Sequence, residues 1–159
     1  MYYAFIHPYI IYGNIIWGNA SAIALWPIFK LQKVALRMIT NTPRGKSTQN
    51  QAKKLRILRL PDTYTYSSMI FMFKYTNNMM PASLTGLFQK NSAVHSYNTR
   101  GASNLRIPRV HTLLAEKFIT FTGVKLWNSL NPQIISTGKI SNFKAQLISL
   151  LIKDYRDSN

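Results

Sequence analysis

The clearest periodic pattern in the chain runs from Ile28 to Thr40. At about 100° per residue, a helix places Lys30, Lys33 and Arg37 in one narrow stripe, opposite a largely apolar half. The pattern therefore predicts an amphipathic helix with a basic outer edge, which we expect to end before Pro43. The apolar half of this predicted helix consists of Leu31, Ala35, Met38 and Ile39.

Upstream of this helix, residues 2 to 29 contain no Lys, Arg, Asp or Glu, and a basic stretch follows them. This combination is typical of a membrane span with a positively charged flank. Residues that are polar or that break helices interrupt the segment, namely Pro8, Gly13, Asn14, Gly18, Asn19, Ser21 and Pro27. We therefore favour a buried helix pair. Its first helix covers residues 2 to about 17 and is started or kinked by Pro8, and Asn19 or Ser21 caps its second.

The patterns between residues 69 and 104 are shorter. The apolar run from Met69 to Tyr75 predicts a buried helix, with a strand as the alternative. Pro81 is expected to open a short helix that reaches about Lys90. Residues 91 to 104 are rich in Asn and Ser and predict an exposed loop.

Two stretches with alternating polarity, Leu105 to Val110 and Lys117 to Thr122, predict short antiparallel strands closed by Gly123. A final helix, capped by Ser141 or Asn142, is predicted to bury an apolar face. That face consists of Phe143, Leu147, Leu150 and Leu151. The predicted fold class is mainly α with a small antiparallel β element (α+β), arranged as a helical thumb-like bundle with a C-terminal extension.

Charge restricts the function more than any other feature of the composition. Twenty Lys and Arg residues face only four carboxylates, so the 159 residues carry a formal charge of +16. This charge predicts a polyanionic partner, with nucleic acid favoured over an anionic membrane surface. Two-metal polymerases and nucleases need several converging carboxylates, and we expect no catalytic activity from this chain alone. The four carboxylates are scattered, at Asp62, Glu116, Asp154 and Asp157.

Nine of the cations lie between Lys30 and Arg59, where no acidic residue occurs. They repel one another until an anion screens them, and phosphate groups of RNA or DNA would do so. Loops and helix starts reach phosphates easily, and a further arginine lies beside Tyr97 in the Asn/Ser-rich loop. The predicted nucleic-acid-binding residues are Lys30, Lys33, Arg37, Arg44, Lys46, Lys53, Lys54, Arg56, Arg59 and Arg100.

The residues do not support other chemistries. Gly45, Lys46 and Ser47 suggest a phosphate-binding loop, but Thr40 stands where that motif needs its first glycine. We expect no metal and no cofactor, because the chain has no Cys and its His residues lack metal-ligand spacing. The N-terminus lacks a basic signal-peptide region, so the nucleus or cytoplasm is expected rather than secretion or a membrane. The three His residues are His7, His95 and His111.

Four stretches, taken in order, resemble one family of proteins. The first contains Tyr3, His7, Pro8, Tyr12, Gly13, Trp17 and Gly18, and the second contains Leu31-Gln32-Lys33 with Ala35, Arg37 and Ile39. The third is His95-Ser96-Tyr97-Asn98-Thr99-Arg100, and the fourth is Gly123-x2-Leu126-Trp127-Asn128-Ser129-Leu130. Their order and spacing resemble the C-terminal part of reverse transcriptases from non-LTR (LINE-type) retrotransposons. The match covers almost the whole chain.

The resemblance implies that residues 1–45 correspond to a helical thumb, and residues 46–159 to a basic linker and post-thumb C-terminal region. In such an enzyme this region follows the fingers and palm and helps to grip the template–primer duplex. The chain lacks the palm with its paired aspartates, so no catalytic residue carries over. Tyr12, Trp17 and Trp127 would be packing anchors, and the uncharged segment would pack against the missing palm or fingers.

Together these observations predict a fragment of an RNA-directed DNA polymerase that retains at most sequence-independent RNA or DNA binding. A thumb without its palm is expected to expose an apolar patch and to self-associate. Two alternatives stay open. One is a translated pseudogene fragment with no selected function. The other is a small membrane or membrane-surface protein that uses residues 2–29 and the basic stretch after them.

Overall fold

The computed structural model describes residues 1–94, 101–153 and 155 of the chain. Across these residues the protein is mainly helical, which confirms the predicted helical character. Short 3-10 helices occur at Ala82–Leu84, Asn91–Ala93 and Ala115–Lys117. The α-helices are α1 (Tyr2–Phe5), α2 (His7–Ile11), α3 (Asn14–Trp17), α4 (Ala22–Thr40), α5 (Gln49–Lys54), α6 (Leu60–Thr76), α7 (Ile119–Ser129), α8 (Pro132–Ile135) and α9 (Ile140–Lys153).

Three short helices stand where the sequence predicts one N-terminal helix. Pro8 lies in the first turn of α2, where its missing N–H costs no helical hydrogen bond. Gly13 has a φ of 60°, and this left-handed conformation separates α2 from α3. In the part of the chain that the structure describes, no helix combines the length and the apolar character needed to cross a membrane.

The three aromatic residues predicted to be packing anchors differ in their burial. Trp127 is buried and Trp17 is half-buried, but the side chain of Tyr12 is 85% exposed, so its predicted packing role is wrong. The backbone of Tyr12 instead positions an anchor, because its carbonyl accepts a hydrogen bond of 2.7 Å from Nε1 of Trp17.

Helix α4 begins at a predicted cap and is longer than its pattern predicts. Oγ of Ser21 accepts a hydrogen bond of 3.3 Å from the Ala24 N–H, which satisfies one free donor of the first turn. Pro27 lies inside the helix without ending it. Asn41 adopts the left-handed conformation, with a φ of 48°, and ends the helix shortly before Pro43.

The predicted inner half of α4 is confirmed only in part, since Ile39 packs against the interior and Ala35 is half-buried. Leu31 and Met38 are 69% and 79% exposed, whereas Gln32 and Leu36, one turn apart, are buried. Apolar residues therefore lie on two sides of α4. The side that packs inward is the one that carries Gln32.

The hydrogen bonds of Gln32 explain this orientation. Its Nε2 donates to the Tyr2 hydroxyl at 2.7 Å and to the Leu58 carbonyl at 2.9 Å. Its Oε1 accepts from the Leu60 N–H at 2.9 Å. Because buried polar groups are stable only when paired, this amide holds α1, α4 and the start of α6 in one arrangement.

Two apolar clusters form the interior. In the first, α6 packs against α7 and α9, and the Phe73 and Phe143 rings stack with centroids 4.4 Å apart. Met69, Met72 and Phe73 are buried on α6, which confirms a buried helix over this run. The second cluster consists of Tyr2, Ile10, Leu36, Ala52, Ile57, Leu60, Ile152 and Tyr155. Its residues come from both sides of position 45. The division of the chain into segments 1–45 and 46–159 stays a prediction.

The described residues contain no β-strand, so the predicted antiparallel element is wrong. Leu105 makes one isolated antiparallel bridge with Lys90. The Asn128 side chain binds the Leu105 N–H at 3.2 Å and the Leu105 carbonyl at 2.8 Å. These bonds satisfy the Leu105 backbone without a neighbouring strand. The second predicted strand lies in a 3-10 helix and the first turn of α7.

Gly123, predicted to close that strand, lies inside α7. A Cβ at this position would be 2.6 Å from Cδ1 of Ile119 and 3.3 Å from Sδ of Met72. The absence of a side chain therefore lets α7 approach α6 closely, and this contact contributes to the first cluster.

The remaining C-terminal predictions are partly confirmed. α9 begins one residue before Ser141, so both predicted cap residues lie inside the helix. Phe143 and Leu147 are buried as predicted, whereas Leu150 is exposed and Leu151 only half-buried. The short helix expected after Pro81 is limited to the 3-10 turn Ala82–Leu84.

Large apolar side chains are exposed along the first 38 residues, as expected for an apolar surface patch. This exposure does not test self-association, which stays a prediction. The strongly exposed ones include Phe5, Tyr9, Tyr12, Ile16, Ile23, Leu31 and Met38.

Replacing Gln32 with Leu is expected to lower the free energy of unfolding by about 3 kcal/mol, because it leaves two buried groups and one half-buried carbonyl without partners. Chemical denaturation followed by circular dichroism measures the change. Gln146→Leu on the exposed side of α9 is the matched control, expected to change it by less than about 0.5 kcal/mol. Equal losses in the two variants would contradict the role of Gln32.

Burial lowers the pKa of His7, whose ring centroid lies 5.0 Å from that of Tyr3. The unfolded chain therefore takes up a proton at higher pH than the folded chain. The stability that the neutral His7 contributes is fully present above the ordinary histidine pKa of about 6.5. It is lost as the pH falls toward the lowered pKa of His7 in the folded protein. We expect the Tm to fall between about pH 7 and pH 5, and to fall less in His7→Gln. Thermal melts of both proteins across this pH range test the prediction. An identical fall in Tm would show that His7 does not cause the pH dependence.

Candidate nucleic-acid interface

A groove on the outer side of α4 gathers three of the predicted cations. Its volume is about 660 Å³, and it lies between the second half of the helix and the loop that follows. Its lining includes no carboxylate. The residues that line this basic groove are Lys30, Val34, Arg37, Met38, Asn41, Thr42, Arg44 and Gly45.

Helical spacing and one tight turn build the basic groove. Positions 30, 34, 37 and 38 fall on one face of α4 because residues three and four apart are neighbours on a helix. The Thr42 N–H bonds to the Arg37 carbonyl at 3.0 Å, so the chain turns sharply where the helix ends. Gly45, with a φ of 96°, continues the turn in a conformation that favours glycine.

The side chain of Arg37 holds the loop against the helix. Its Nη2 donates to the Lys46 carbonyl at 3.2 Å, and this brings Lys46 next to the groove wall at Gly45. The sequence has no acidic residue before Asp62, so the cations of the groove have no carboxylate partner from this part of the chain. Chemically, the arrangement suits a string of phosphate groups.

Four other predicted cations lie outside the basic groove. Lys33 lies on another edge of α4, with Nζ 4.3 Å from the Phe29 ring centroid. Lys53 and Lys54 are exposed in the last turn of α5. The Arg56 guanidinium donates to Oγ of Ser149 at 3.0 Å. These four cations widen the basic surface but do not line the groove.

Arg59 takes part in a packed polar cluster with Asp62 and Tyr155. Its Nε donates to Oδ2 of Asp62 at 2.9 Å, and its guanidinium lies 4.2 Å from the Tyr155 ring centroid. The Tyr155 hydroxyl donates to the same carboxylate at 2.7 Å and accepts from the Arg59 N–H at 2.8 Å. These contacts join α6 to the segment after α9, so Arg59 supports the fold.

The protonation of this cluster follows from its geometry. Burial raises the pKa of the Tyr155 hydroxyl well above its usual range, and the hydrogen bond to Asp62 adds to the effect. Burial, the largest single effect, would lower the pKa of Arg59, but the hydrogen bond to Asp62, the Asp62 charge and Tyr155 together outweigh it, so the pKa is raised. Tyr155 is therefore neutral and Arg59 charged at physiological pH.

The tenth predicted residue, Arg100, lies outside the described residues, as do Tyr97 and His95. Among the residues that are described, no three His, Asp or Glu side chains lie close enough to hold a metal ion.

Sequence reasoning missed a second surface that combines aromatic and basic residues. Nζ of Lys33 lies 5.1 Å from the Trp26 ring centroid, and Nζ of Lys125 lies 5.3 Å from that of Phe121. Phe121 and Lys125 are four residues apart in the sequence. On a helix this spacing makes them neighbours, so a helix prediction for this stretch would have indicated the pair. The strand prediction over residues 117 to 122 concealed it.

No protein-family model matches this chain, and neither the curated proteins nor the solved structures yield a match. The likeness to the post-palm region of non-LTR reverse transcriptases therefore rests on the four sequence stretches alone.

Proposed function

We propose that the chain binds RNA or DNA through the phosphate backbone, without sequence specificity and without polymerase activity of its own. The observation that carries this proposal is the basic groove, where Lys30, Arg37 and Arg44 converge with no carboxylate in the lining. Lys46, tethered beside them by Arg37, adds a fourth cation.

Electrostatics supports phosphate as the ligand. A formal charge of +16 attracts polyanions over long distances, and a groove focuses that field. Neutralising four phosphates releases counterions and predicts a slope of about −3.6 for log affinity against log salt on duplex DNA. The groove presents Lys30 and Arg37 on one helix face and Arg44 on the adjoining loop, an arrangement suited to a phosphate backbone.

The two carboxylates that the structure describes favour a binding role without catalysis. Asp62 is engaged by Arg59 and Tyr155, and Glu116 lies alone on the surface of the described part of the chain. Two-metal nucleotidyl transfer needs carboxylates that converge on one site. The resemblance to the region after the palm of non-LTR reverse transcriptases is consistent with this reading, and we propose that relationship together with the binding role.

Neutralising the groove is expected to weaken binding to labelled duplex DNA and RNA equally, and to make the salt slope on duplex DNA shallower by about 3.6. Fluorescence anisotropy at several salt concentrations measures both effects. The variant combines Lys30→Gln, Arg37→Gln, Arg44→Gln and Lys46→Gln.

The control removes the same charge from exposed lysines outside the groove, with circular dichroism to confirm that both proteins fold. If the control lowers affinity and slope as much as the groove variant, binding depends on net charge alone and the groove is not the site. The control combines Lys74→Gln, Lys90→Gln, Lys139→Gln and Lys144→Gln.

A second candidate function, binding to an anionic membrane surface, is favoured by one observation. The outward face of α4 exposes Leu31 and Met38 beside Lys30 and Arg37. A helix with exposed apolar residues next to cations suits the boundary between lipid headgroups and acyl chains.

Replacing Leu31, which does not line the groove, with Ser separates the two functions. If nucleic acid is the ligand, this variant keeps its oligonucleotide affinity and its weak, salt-sensitive binding to phosphatidylserine vesicles. Membrane insertion instead requires apolar area, so loss of vesicle co-sedimentation with retained folding would favour the membrane candidate.

A further inference from the structure

A cleft on a different side of α4 is formed by two adjoining cavities of about 510 and 560 Å³. The cavities share Asn19, Thr122 and Leu126, so they form one continuous surface between the start of α4, α6 and α7. The first cavity is lined mainly by apolar and aromatic side chains, and the second adds Lys117 and Lys125. We call this surface the aromatic cleft.

An aromatic ring lines each of the two cavities and has a lysine Nζ over it, although Lys33, the lysine over Trp26, does not itself line the first cavity. Trp26 lines the first cavity, is 56% exposed and has Lys33 at 5.1 Å. Phe121 lines the second, with Lys125 at 5.3 Å. Each cavity therefore offers a ring for stacking and a cation near that ring.

The floor between the cavities is held by hydrogen bonds. Nδ2 of Asn19 donates to the Lys117 carbonyl at 3.0 Å and to Oγ1 of Thr122 at 3.2 Å. Oγ1 of Thr122 in turn donates to the Glu116 carbonyl at 2.6 Å. This network fixes α7 against the turn before α4, so the two rings keep their relative positions.

We propose that the aromatic cleft binds unpaired bases of single-stranded nucleic acid, an inference that rests on the proposed function. Every base has a π-face that stacks on an aromatic ring, and lysines beside the rings neutralise the connecting phosphates. A duplex keeps its base faces stacked inside and cannot offer them to the cleft. Glu116 is the one carboxylate in the lining, and the two lysines of the second cavity outnumber it.

In this proposal the aromatic cleft and the basic groove bind different parts of the nucleic acid. The basic groove contacts backbone phosphates of single or double strands, whereas the cleft adds affinity for single strands alone. Both surfaces involve α4, because Trp26 and Lys33 lie on one edge of the helix and Lys30 and Arg37 line its outer face.

Trp26→Ala is expected to weaken binding to oligothymidylate about tenfold and to leave binding to a duplex of equal length unchanged. Oligothymidylate should also quench the tryptophan emission of the wild-type protein, because Trp26 is exposed while Trp17 and Trp127 are half-buried and buried. Trp26→Phe keeps a ring and should retain most of the affinity. Anisotropy and fluorescence titrations measure these effects.

Two controls make the test specific to the aromatic cleft. Tyr9→Ala removes an exposed ring that lines neither surface, and Lys125→Gln is compared with Lys144→Gln for loss of one charge. Only Trp26→Ala and Lys125→Gln should lose preference for the single strand. Thermal melts confirm that all variants fold.

The outcomes separate this inference from the proposed function. If duplex and single strand both bind but Trp26→Ala and Tyr9→Ala behave alike, the cleft inference is wrong and the groove proposal stands. If neither nucleic acid binds, both are wrong. If emission changes with protein concentration and not with oligothymidylate, the cleft is instead an interface between copies of the chain.

Discussion

The buried amide of Gln32 determines how the first half of the chain packs. Its two donated bonds and one accepted bond reach α1, the segment before α6 and the first residue of α6. An amide with these partners cannot rotate outward without leaving buried polar groups unpaired. Because Gln32 faces inward, Leu36 does too, and the opposite face of α4 must face solvent. The basic groove therefore exists where it does because of a hydrogen-bonding constraint on the other side of the same helix.

Charge distribution is the second constraint. The first 61 residues contain no carboxylate, and the first that occurs, Asp62, is bound by Arg59 and Tyr155. The cations of α4 and the following loop thus keep their positive field, which external anions must screen. At the same time, one half-buried carboxylate, Asp62, attaches the segment after α9 to α6. Scarcity of acidic residues therefore shapes both the surface and the interior.

Features with local causes could be predicted from the sequence, and features with distant causes could not. The Ser21 cap, the end of α4 before Pro43 and the buried Phe143 and Leu147 follow from short-range rules. The buried side of α4 could not be predicted, since a periodicity analysis counts Gln32 as polar and its partners lie 26 to 30 residues away. The lysines and arginines could be identified from the sequence. The groove could not, because it forms only where the chain turns at Asn41 and Gly45. The aromatic cleft could not be predicted either, because Phe121 lies in α7 and the sequence predicted a strand there.

The two apolar clusters share helices, and this has a consequence for cooperativity. Leu60 at one end of α6 belongs to the second cluster, whereas Met69, Met72 and Phe73 further along belong to the first. α9 repeats the arrangement, with Phe143 and Leu147 in the first cluster and Ile152 in the second. Loss of packing in one cluster removes contacts from α6 and α9, two helices that the other cluster also uses. The two clusters therefore favour cooperative unfolding, and partial melting that opens the basic groove or the aromatic cleft separately is disfavoured.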